Sequence, residues 1–180
     1  MTTAAIPQPA FEFPSSSISP LSTPQEQPQQ QQLPDNDQKK KKKKIIRQAV
    51  GAVIIDSTTK KVLMLSSRKR ENALVLPRGE CETDTQETPE NATIRVLLSE
   101  AGVSVSSLTQ RVGTFTEANK KGKIIAHHWM YEVHDPTLVD TWAGSDRKRV
   151  WVTLNEALTA TTDRRMAHLA LNSCSLARHS

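Results

Sequence analysis

The sequence predicts an α/β (α+β) fold, arranged as an α/β/α sandwich around a mixed sheet, for the chain from residue 45 onward. Two observations support this prediction. Runs typical of strands mix with two helical patterns, and their order shows no strict alternation of strand and helix. The composition also changes sharply at residue 45, so the folded domain is predicted to span 45–180.

The first 44 residues differ from the rest of the chain. They contain seven of the ten prolines and the glutamine-rich stretch QEQPQQQQ, and they end in the lysine run Lys39–Lys44. Such a segment has too little apolar surface to offset its conformational entropy, so 1–44 is predicted to be a disordered tail. The lysine run is a candidate nuclear-import signal or contact for RNA or another polyanion, and a solvated basic linker is the alternative.

Six runs rich in β-branched, aliphatic and aromatic side chains predict strands. They are IIRQAVGAVIID (45–56), KVLMLSSR (61–68), NALVLP (72–77), RVGTFTEA (111–118), KIIAHHWMYEV (123–133) and RVWVTL (149–154). The polar turns STTK and NKKG separate the first two runs and the fourth and fifth runs, respectively. Each of these two pairs is therefore predicted to form a hairpin or neighbouring strands.

Two segments predict helices. The first begins with Thr88 as a cap and Pro89 at the first helical position, and Gly102 is well placed to end it. Its apolar residues recur at three- and four-residue spacing: Ile94, Leu97, Leu98 and Ala101. The second helix is predicted over 162–177, with Thr162 as its cap. One face of this second helix contains Met166, Leu169, Ala170 and Ser173.

Charge and cysteine content limit the classes of partner. The formal net charge is +5 and the pI is about 9.4, which suits an anionic ligand. The two cysteines are far apart without a CxxC spacing, so neither a disulfide framework nor a structural zinc site is expected. No apolar run is long enough to cross a bilayer, and the N-terminus lacks the pattern of a secretion signal. We expect a monomer without a membrane partner, in the cytoplasm, the nucleus or both.

The stretch LPRGECETDTQETPENATIRVLLSEAGV, from Leu76 to Val103, resembles the signature of the Nudix hydrolases. That signature reads G-x5-E-x7-R-E-U-x-E-E-x-G-U, where U is aliphatic. The positions that match it are Glu87, Arg95, Leu97, Glu100, Gly102 and Val103. Val96 and Ser99 stand where the signature has two glutamates, and Cys81 stands at its leading glycine. In a second alignment, PRGECETD matches the opening P-K-G-G-x-E-x-D with Glu80 at the second glycine.

The resemblance extends beyond the signature. RQAVGAVIID, KVLMLSSRKRENALVLPRG and DRKRVWVTLNEAL are similar to the diphosphoinositol polyphosphate and diadenosine polyphosphate phosphohydrolases, particularly fungal-type members. This similarity implies a Nudix-type sandwich that hydrolyses a phosphoanhydride of a small polyphosphorylated ligand, with Mg²⁺ or Mn²⁺ as cofactor. The ligand-binding residues that it implies are Arg47, Ser66, Ser67, Arg68, Arg78, Gly79, Arg147, Lys148 and Arg149.

The same resemblance implies that Glu100 and Arg95 are catalytic, with Glu100 binding the metal and Arg95 pairing with it. Mg²⁺ prefers oxygen ligands, whereas Val96 offers none and Ser99 offers only a neutral hydroxyl. The loss of two carboxylates therefore predicts weakened hydrolysis, with Glu80 and Glu87 as candidate substitute ligands. The alternative is an inactive Nudix pseudoenzyme that binds a polyphosphate ligand or a protein partner.

Overall fold

A computed structural model of the chain describes residues 45–178. The predicted disordered tail, 1–44, and its lysine run lie outside the described residues. Within the described part, no helix is both long enough and apolar enough to cross a membrane.

Strands make up most of the regular structure in the described chain. They are β1 (Arg47–Asp56), β2 (Lys61–Ser66), β3 (Leu74–Val75), β4 (Arg78–Glu80), β5 (Val103–Ser104), β6 (Gln110–Ala118), β7 (Ile124–His134), β8 (Thr137–Leu138) and β9 (Arg149–Val152). The helices are α1 (Pro89–Ala101), α2 (Leu154–Ala160), α3 (Arg165–Ser173) and α4 (Ser175–Arg178). A single 3₁₀ turn, Thr83–Thr85, lies between β4 and α1.

The main sheet is mixed and is organised around β1. Strand β1 runs parallel to β7 from Arg47 to Ile55, and its other edge pairs antiparallel with β4 and β2. Strand β6 extends the sheet beyond β7, while β3 and β9 pair with β2. A separate two-stranded ladder joins β5 to β8. The predicted fold class, with its mixed sheet, is confirmed.

Helices cover both faces of this sheet. On one face, Leu97 and Ala101 of α1 pack against buried β1 residues such as Ile54. On the other face, residues of α2, α3 and α4, including the buried Leu171, pack against Met64 and other sheet residues. The alternation of side chains along each strand supplies both apolar faces, which explains the nearly unbroken burial of β1 and β2.

Helix α1 begins and ends as its sequence predicts. The hydroxyl of Thr88 accepts a hydrogen bond from the backbone N–H of Asn91, and Pro89 occupies the first turn. At the other end, Gly102 has φ 60° and its N–H bonds to the carbonyl of Leu98. The indole of Trp142 lies against this glycine, so an added Cβ would be 2.6 Å from the ring.

Substituting Gly102→Ala should therefore lower the free energy of unfolding by about 2–3 kcal/mol, because the new Cβ meets both an unfavourable φ and a clash with Trp142. Gly122→Ala is the matched control, since Gly122 has φ 75° with no atom within 4 Å of its added Cβ. We expect the control to cost only about 1 kcal/mol. Urea denaturation of the three proteins measures both values, and equal losses would show that Trp142 does not restrict this position.

Two predicted strands differ from the structure near β2 and β9. In the strand predicted over 72–77, only Leu74 and Val75 pair, while Arg78–Glu80 forms the unpredicted strand β4 beside β1. The strand predicted over 149–154 ends at Val152, because Thr153 caps α2. The Thr153 hydroxyl and the Glu156 carboxylate form a reciprocal capping box, whose T-x-x-E pattern is visible in the sequence.

The helix predicted over 162–177 is two helices, and Thr162 does not cap either of them. The Thr162 hydroxyl donates to the carbonyls of Leu158 and Thr159 at the end of α2. Helix α3 starts after Arg164, which makes no capping hydrogen bond through its side chain. Cys174 then adopts an extended conformation, with φ −73° and ψ 166°, and this separates α3 from α4.

Candidate functional site

The face of α1 that the sequence resemblance implies for metal binding is partly apolar. Val96 is 3% exposed and packs with Val50 and Ala92. Its Cγ2 atom lies so close to Gly79 that a Cβ added there would be 2.5 Å away, so β4 approaches α1 closely at this glycine. The Ser99 hydroxyl donates to the carbonyl of Val96 at 3.4 Å, within its own helix.

Glu100, on the same helix face, is held by two arginines. Its Oε2 atom accepts hydrogen bonds from Nη1 of Arg68 at 2.8 Å and from Nη1 of Arg147 at 3.0 Å. Arg147 is 8% exposed and also donates to the carbonyl of Ser66, so its side chain is held in place by burial and by this hydrogen bond. Arg68 also contacts the carboxylate of Asp146 at 3.2 and 3.3 Å. The negative charge of Glu100 is thus neutralised by residues of this chain.

Arg95 pairs with a residue other than the expected Glu100. Its guanidinium forms two hydrogen bonds of 2.7 Å with the carboxylate of Glu87, and a third with the carbonyl of Glu80. The hydrogen bond from Arg95, aided by the backbone N–H of Glu82, lowers the pKa of Glu87 to about 2. The expectation that Arg95 pairs with Glu100 is therefore wrong, and Arg95 instead ties α1 to the acidic loop before it.

These contacts do not fit a divalent-cation site. In the described chain, no three histidine, cysteine or acidic side chains are placed to hold a metal ion. Glu100 is engaged by two cationic groups, and a hard cation would need additional oxygen ligands beside it. Of the two candidate substitutes, Glu87 is bonded to Arg95, and Glu80 lies 3.5 Å from Arg47. Neither shares a hydrogen bond or ion pair with Glu100 in residues 45–178.

A cavity of about 600 Å³ lies between the sheet, including its strand β4, and the start of α3. Its apolar lining includes Val75, Leu76, Met130 and Met166. Its cationic lining consists of arginines from four separate parts of the described chain: Arg47, Arg70, Arg78, Arg164 and Arg165. Its acidic lining is Glu80, Glu117 and Asp163. Positive charge therefore exceeds negative charge around this cavity.

Some cavity arginines are already paired with carboxylates. Arg47 contacts Glu117 at 3.2 Å and Glu80 at 3.5 Å. The buried His128 bonds to Glu117 at 3.0 Å through Nε2, and this contact, with Arg47, lowers the pKa of Glu117 despite its partial burial. Arg78 and Arg165 make no ion pair or side-chain hydrogen bond with any residue in the described range. Their guanidinium groups are therefore available to an anionic ligand.

The residues predicted to bind the ligand fall into two groups. Arg47, Arg78 and Gly79 line the cavity. The others lie outside its lining: Ser66, Ser67, Arg68, Arg147, Lys148 and Arg149. Arg149 donates to the carbonyls of Gly102 and Val139 and stacks on Trp142, with 4.2 Å between its guanidinium carbon and the ring centroid. Arg149 and Arg147 thus support the end of α1, and a ligand role for this second group stays a prediction.

Several cavity residues were not singled out as ligand-binding by sequence reasoning: Arg70, Glu117, His128, Asp163, Arg164 and Arg165. The runs RKRE and TDRR contain four of them, and a high local density of arginine was the available signal. Sequence spacing alone cannot show that these runs meet, because Arg70 and Asp163 are 93 positions apart.

Comparisons with known proteins agree with this architecture. Residues 45–171 match the model of the NUDIX domain family. A NUDIX hydrolase structure from Nitrosomonas europaea aligns with a TM-score of 0.52 and 18% identity, covering 72% of this chain and 88% of that one. A MutT structure, from a study of Aliivibrio salmonicida and Vibrio cholerae, aligns with a TM-score of 0.49 and 15% identity, covering 69% and 95% respectively. No curated protein sequence gives a significant match.

Proposed function

Since the chain belongs to the NUDIX domain family, we propose that it binds a small, highly phosphorylated ligand in its arginine-lined cavity and hydrolyses it weakly or not at all. The observation that carries this proposal is the contrast between two regions. The cavity retains unpaired arginines, whereas the carboxylate of Glu100 is already bonded to Arg68 and Arg147.

The cavity suits phosphate groups for chemical reasons. A guanidinium donates several N–H groups in a fixed plane and binds phosphate oxygens in pairs. Arg78 and Arg165 have no carboxylate partner in residues 45–178, so a phosphate group can reach them without displacing one. The remaining arginines offer further contacts to a ligand with enough negative charge to compete with the cavity carboxylates.

The lining favours a diphosphoinositol polyphosphate over a dinucleoside polyphosphate. Proteins commonly hold nucleobases by stacking them on aromatic side chains. No phenylalanine, tyrosine or tryptophan of the described chain lines the cavity, where the one aromatic ring is the imidazole of His128. That ring is 7% exposed and bonded to Glu117, so it offers little stacking surface.

Weak hydrolysis follows from the contacts of α1. Nudix hydrolases generally use divalent metals such as Mg²⁺ or Mn²⁺, which stabilise charge on the phosphate oxygens and orient the attacking water. In this chain the equivalent helix face presents Val96, Ser99 and an arginine-bound Glu100. The residues of this chain therefore bind the ligand and hydrolyse it weakly or, in the limiting case, not at all.

Binding and phosphate release should be measured together to test the proposal. Calorimetry should show that the wild type binds diphosphoinositol pentakisphosphate more tightly than diadenosine hexaphosphate. The Arg78→Gln variant should bind diphosphoinositol pentakisphosphate about tenfold more weakly than the wild type does. Arg178→Gln is the control, because it removes the same charge at an exposed position outside the cavity lining. Phosphate release with Mg²⁺ or Mn²⁺ should stay near background in the wild type and in Glu100→Gln.

Each part of the proposal has a contrary result. Substantial phosphate release that Glu100→Gln abolishes would show a working hydrolase, with Glu100 as its catalytic residue. Equal weakening by Arg78→Gln and Arg178→Gln would mean that the ligand responds to net charge and does not enter the cavity. Tighter binding of diadenosine hexaphosphate would reverse the preferred ligand class.

A further inference from the structure

An ion pair joins two loops that line the cavity. Arg70, in the loop between β2 and β3, bonds through Nη1 to the carboxylate of Asp163, in the turn between α2 and α3. The other carboxylate oxygen of Asp163 lies 3.8 Å from Nε of Arg164. One aspartate thus engages two of the arginines of the cavity lining. Both Asp163 and Arg70 remain about half exposed or more, at 48% and 63% of their side-chain surface.

The carboxylate of Asp163 makes no capping hydrogen bond to helix α3. Helix α3 starts two residues later, at Arg165, without a capping hydrogen bond from a side chain, so Asp163 is not needed to form that helix end. Its partners in the described structure are Arg70 and Arg164, and the hydrogen bond from Arg70 keeps the pKa of Asp163 below its ordinary value. Its carboxylate is therefore ionised at neutral pH and competes directly with any anion for these arginines.

Resting on the proposed function, we propose that Asp163 is a specificity-determining residue that occupies Arg70 and Arg164 until a highly phosphorylated ligand displaces it. A small anion binds at the unpaired Arg78 and Arg165 and leaves this pairing intact. A larger ligand, with phosphates on several sides, reaches Arg70 and Arg164 as well. Its affinity is lowered because both arginines must first give up their contacts with Asp163.

The size of the expected effect follows from the exposure of the pair. Exposed ion pairs contribute little to stability, so a ligand phosphate that forms charge-assisted bonds with both arginines can replace the aspartate. Removing the aspartate's charge should then strengthen binding of a large polyphosphate about three- to tenfold, since it removes two competing contacts and one repulsive charge. A small anion that does not reach Arg70 should gain less than about twofold.

Calorimetry with two defined probes, inositol hexakisphosphate and inorganic pyrophosphate, tests this inference on the full-length chain. The variants are Asp163→Asn and the charge-matched control Glu71→Gln. Glu71 is exposed, lies next to Arg70 in sequence, and neither lines the cavity nor forms an ion pair among the described residues. We expect Asp163→Asn to tighten inositol hexakisphosphate binding about three- to tenfold, with less than about a twofold change for pyrophosphate and for Glu71→Gln.

The possible results separate this inference from the function on which it rests. Unchanged or weaker inositol hexakisphosphate binding by Asp163→Asn, with a wild type that binds, overturns the role of Asp163 and leaves the proposed function intact. Equal tightening by Asp163→Asn and Glu71→Gln also overturns it, because net charge then explains the gain. Failure of the wild type and of both variants to bind either probe overturns the proposed function together with this inference.

Discussion

Replacing Val96 and Ser99 by glutamate in one protein should raise Mg²⁺-dependent phosphate release from diphosphoinositol pentakisphosphate by at least about 100-fold over the wild type. The two substitutions supply carboxylates one turn apart on the helix face that already carries Glu100. At an effective dielectric constant of about 20, one unit charge pair at about 4 Å contributes roughly 4 kcal/mol, and about 1.4 kcal/mol corresponds to a tenfold change in rate.

The expected gain is smaller than that electrostatic upper limit for two structural reasons. Val96 is 3% exposed among apolar side chains beside Gly79, so a glutamate there must turn toward solvent or lose its hydration. Arg68 and Arg147 also compete with a cation for Glu100. We therefore expect the double variant to be less stable than the wild type without metal, and to regain stability when Mg²⁺ binds.

Val96→Gln with Ser99→Gln is the matched control, because it keeps the size of the new side chains and removes their charge. The measurements are phosphate release, Mn²⁺ binding by calorimetry, and thermal unfolding with and without Mg²⁺. A folded glutamate variant that binds Mn²⁺ but releases phosphate no faster than the glutamine variant would contradict the prediction. That result would locate the defect in the cavity or in the acidic loop before α1.

Substituting Glu132→Ala should lower the free energy of unfolding by about 3 kcal/mol. Glu132 lies on strand β7 of the central sheet, and its charged side chain is fully buried. Its carboxylate accepts hydrogen bonds from the backbone N–H and hydroxyl of Ser175, at the start of α4, and contacts Nε2 of His134. Truncation leaves these partly buried donors without their partner.

The contribution of Glu132 should depend on pH in a defined direction. Burial raises the pKa of Glu132, but the hydrogen bonds from Ser175 and His134 outweigh this effect, and the net result is a lowered pKa. A carboxyl group whose pKa is lower in the folded state stabilises the fold above its unfolded pKa, which is near 4.5. This stabilisation is lost as the pH falls through the folded value.

Urea denaturation of the wild type and Glu132→Gln at pH 7 and at pH 3 measures this dependence. The stability difference between the two proteins should be larger at pH 7, and Glu71→Gln should differ from the wild type by less than about 0.5 kcal/mol at pH 7. A difference for Glu132→Gln that is the same at both values would show that ionisation of Glu132 does not stabilise the fold.

Local sequence patterns predicted much of the fold. Thr88, Pro89 and Gly102 defined the ends of α1 because capping depends on residues within one turn of each end. Alternation and β-branching likewise indicated the long strands β1, β2, β6 and β7. The short strand β4 and the break at Cys174 escaped prediction, because β4 pairs with β1 and the residue after the break, Ser175, bonds to the distant Glu132.

The candidate site was predictable only in part. The family resemblance singled out Glu100 on α1, whose role stays a prediction, and Arg47, Arg78 and Gly79, which line the cavity. It did not indicate that Arg95 bonds to Glu87, or that Asp163 bonds to Arg70. The carboxylate with which an arginine pairs depends on distance and burial in the folded chain. The sequence offers several candidate carboxylates to each arginine, so it does not determine the pairing.

By itself the sequence determined the family, the order of the main elements and the excess of positive charge. These properties reside in single residues or in spacings of a few positions along the chain. Only the tertiary structure decided which arginines face the cavity and which arginines neutralise Glu100. The parallel pairing of β1 with β7 and the packing of α3 on the sheet bring together side chains that no local pattern relates.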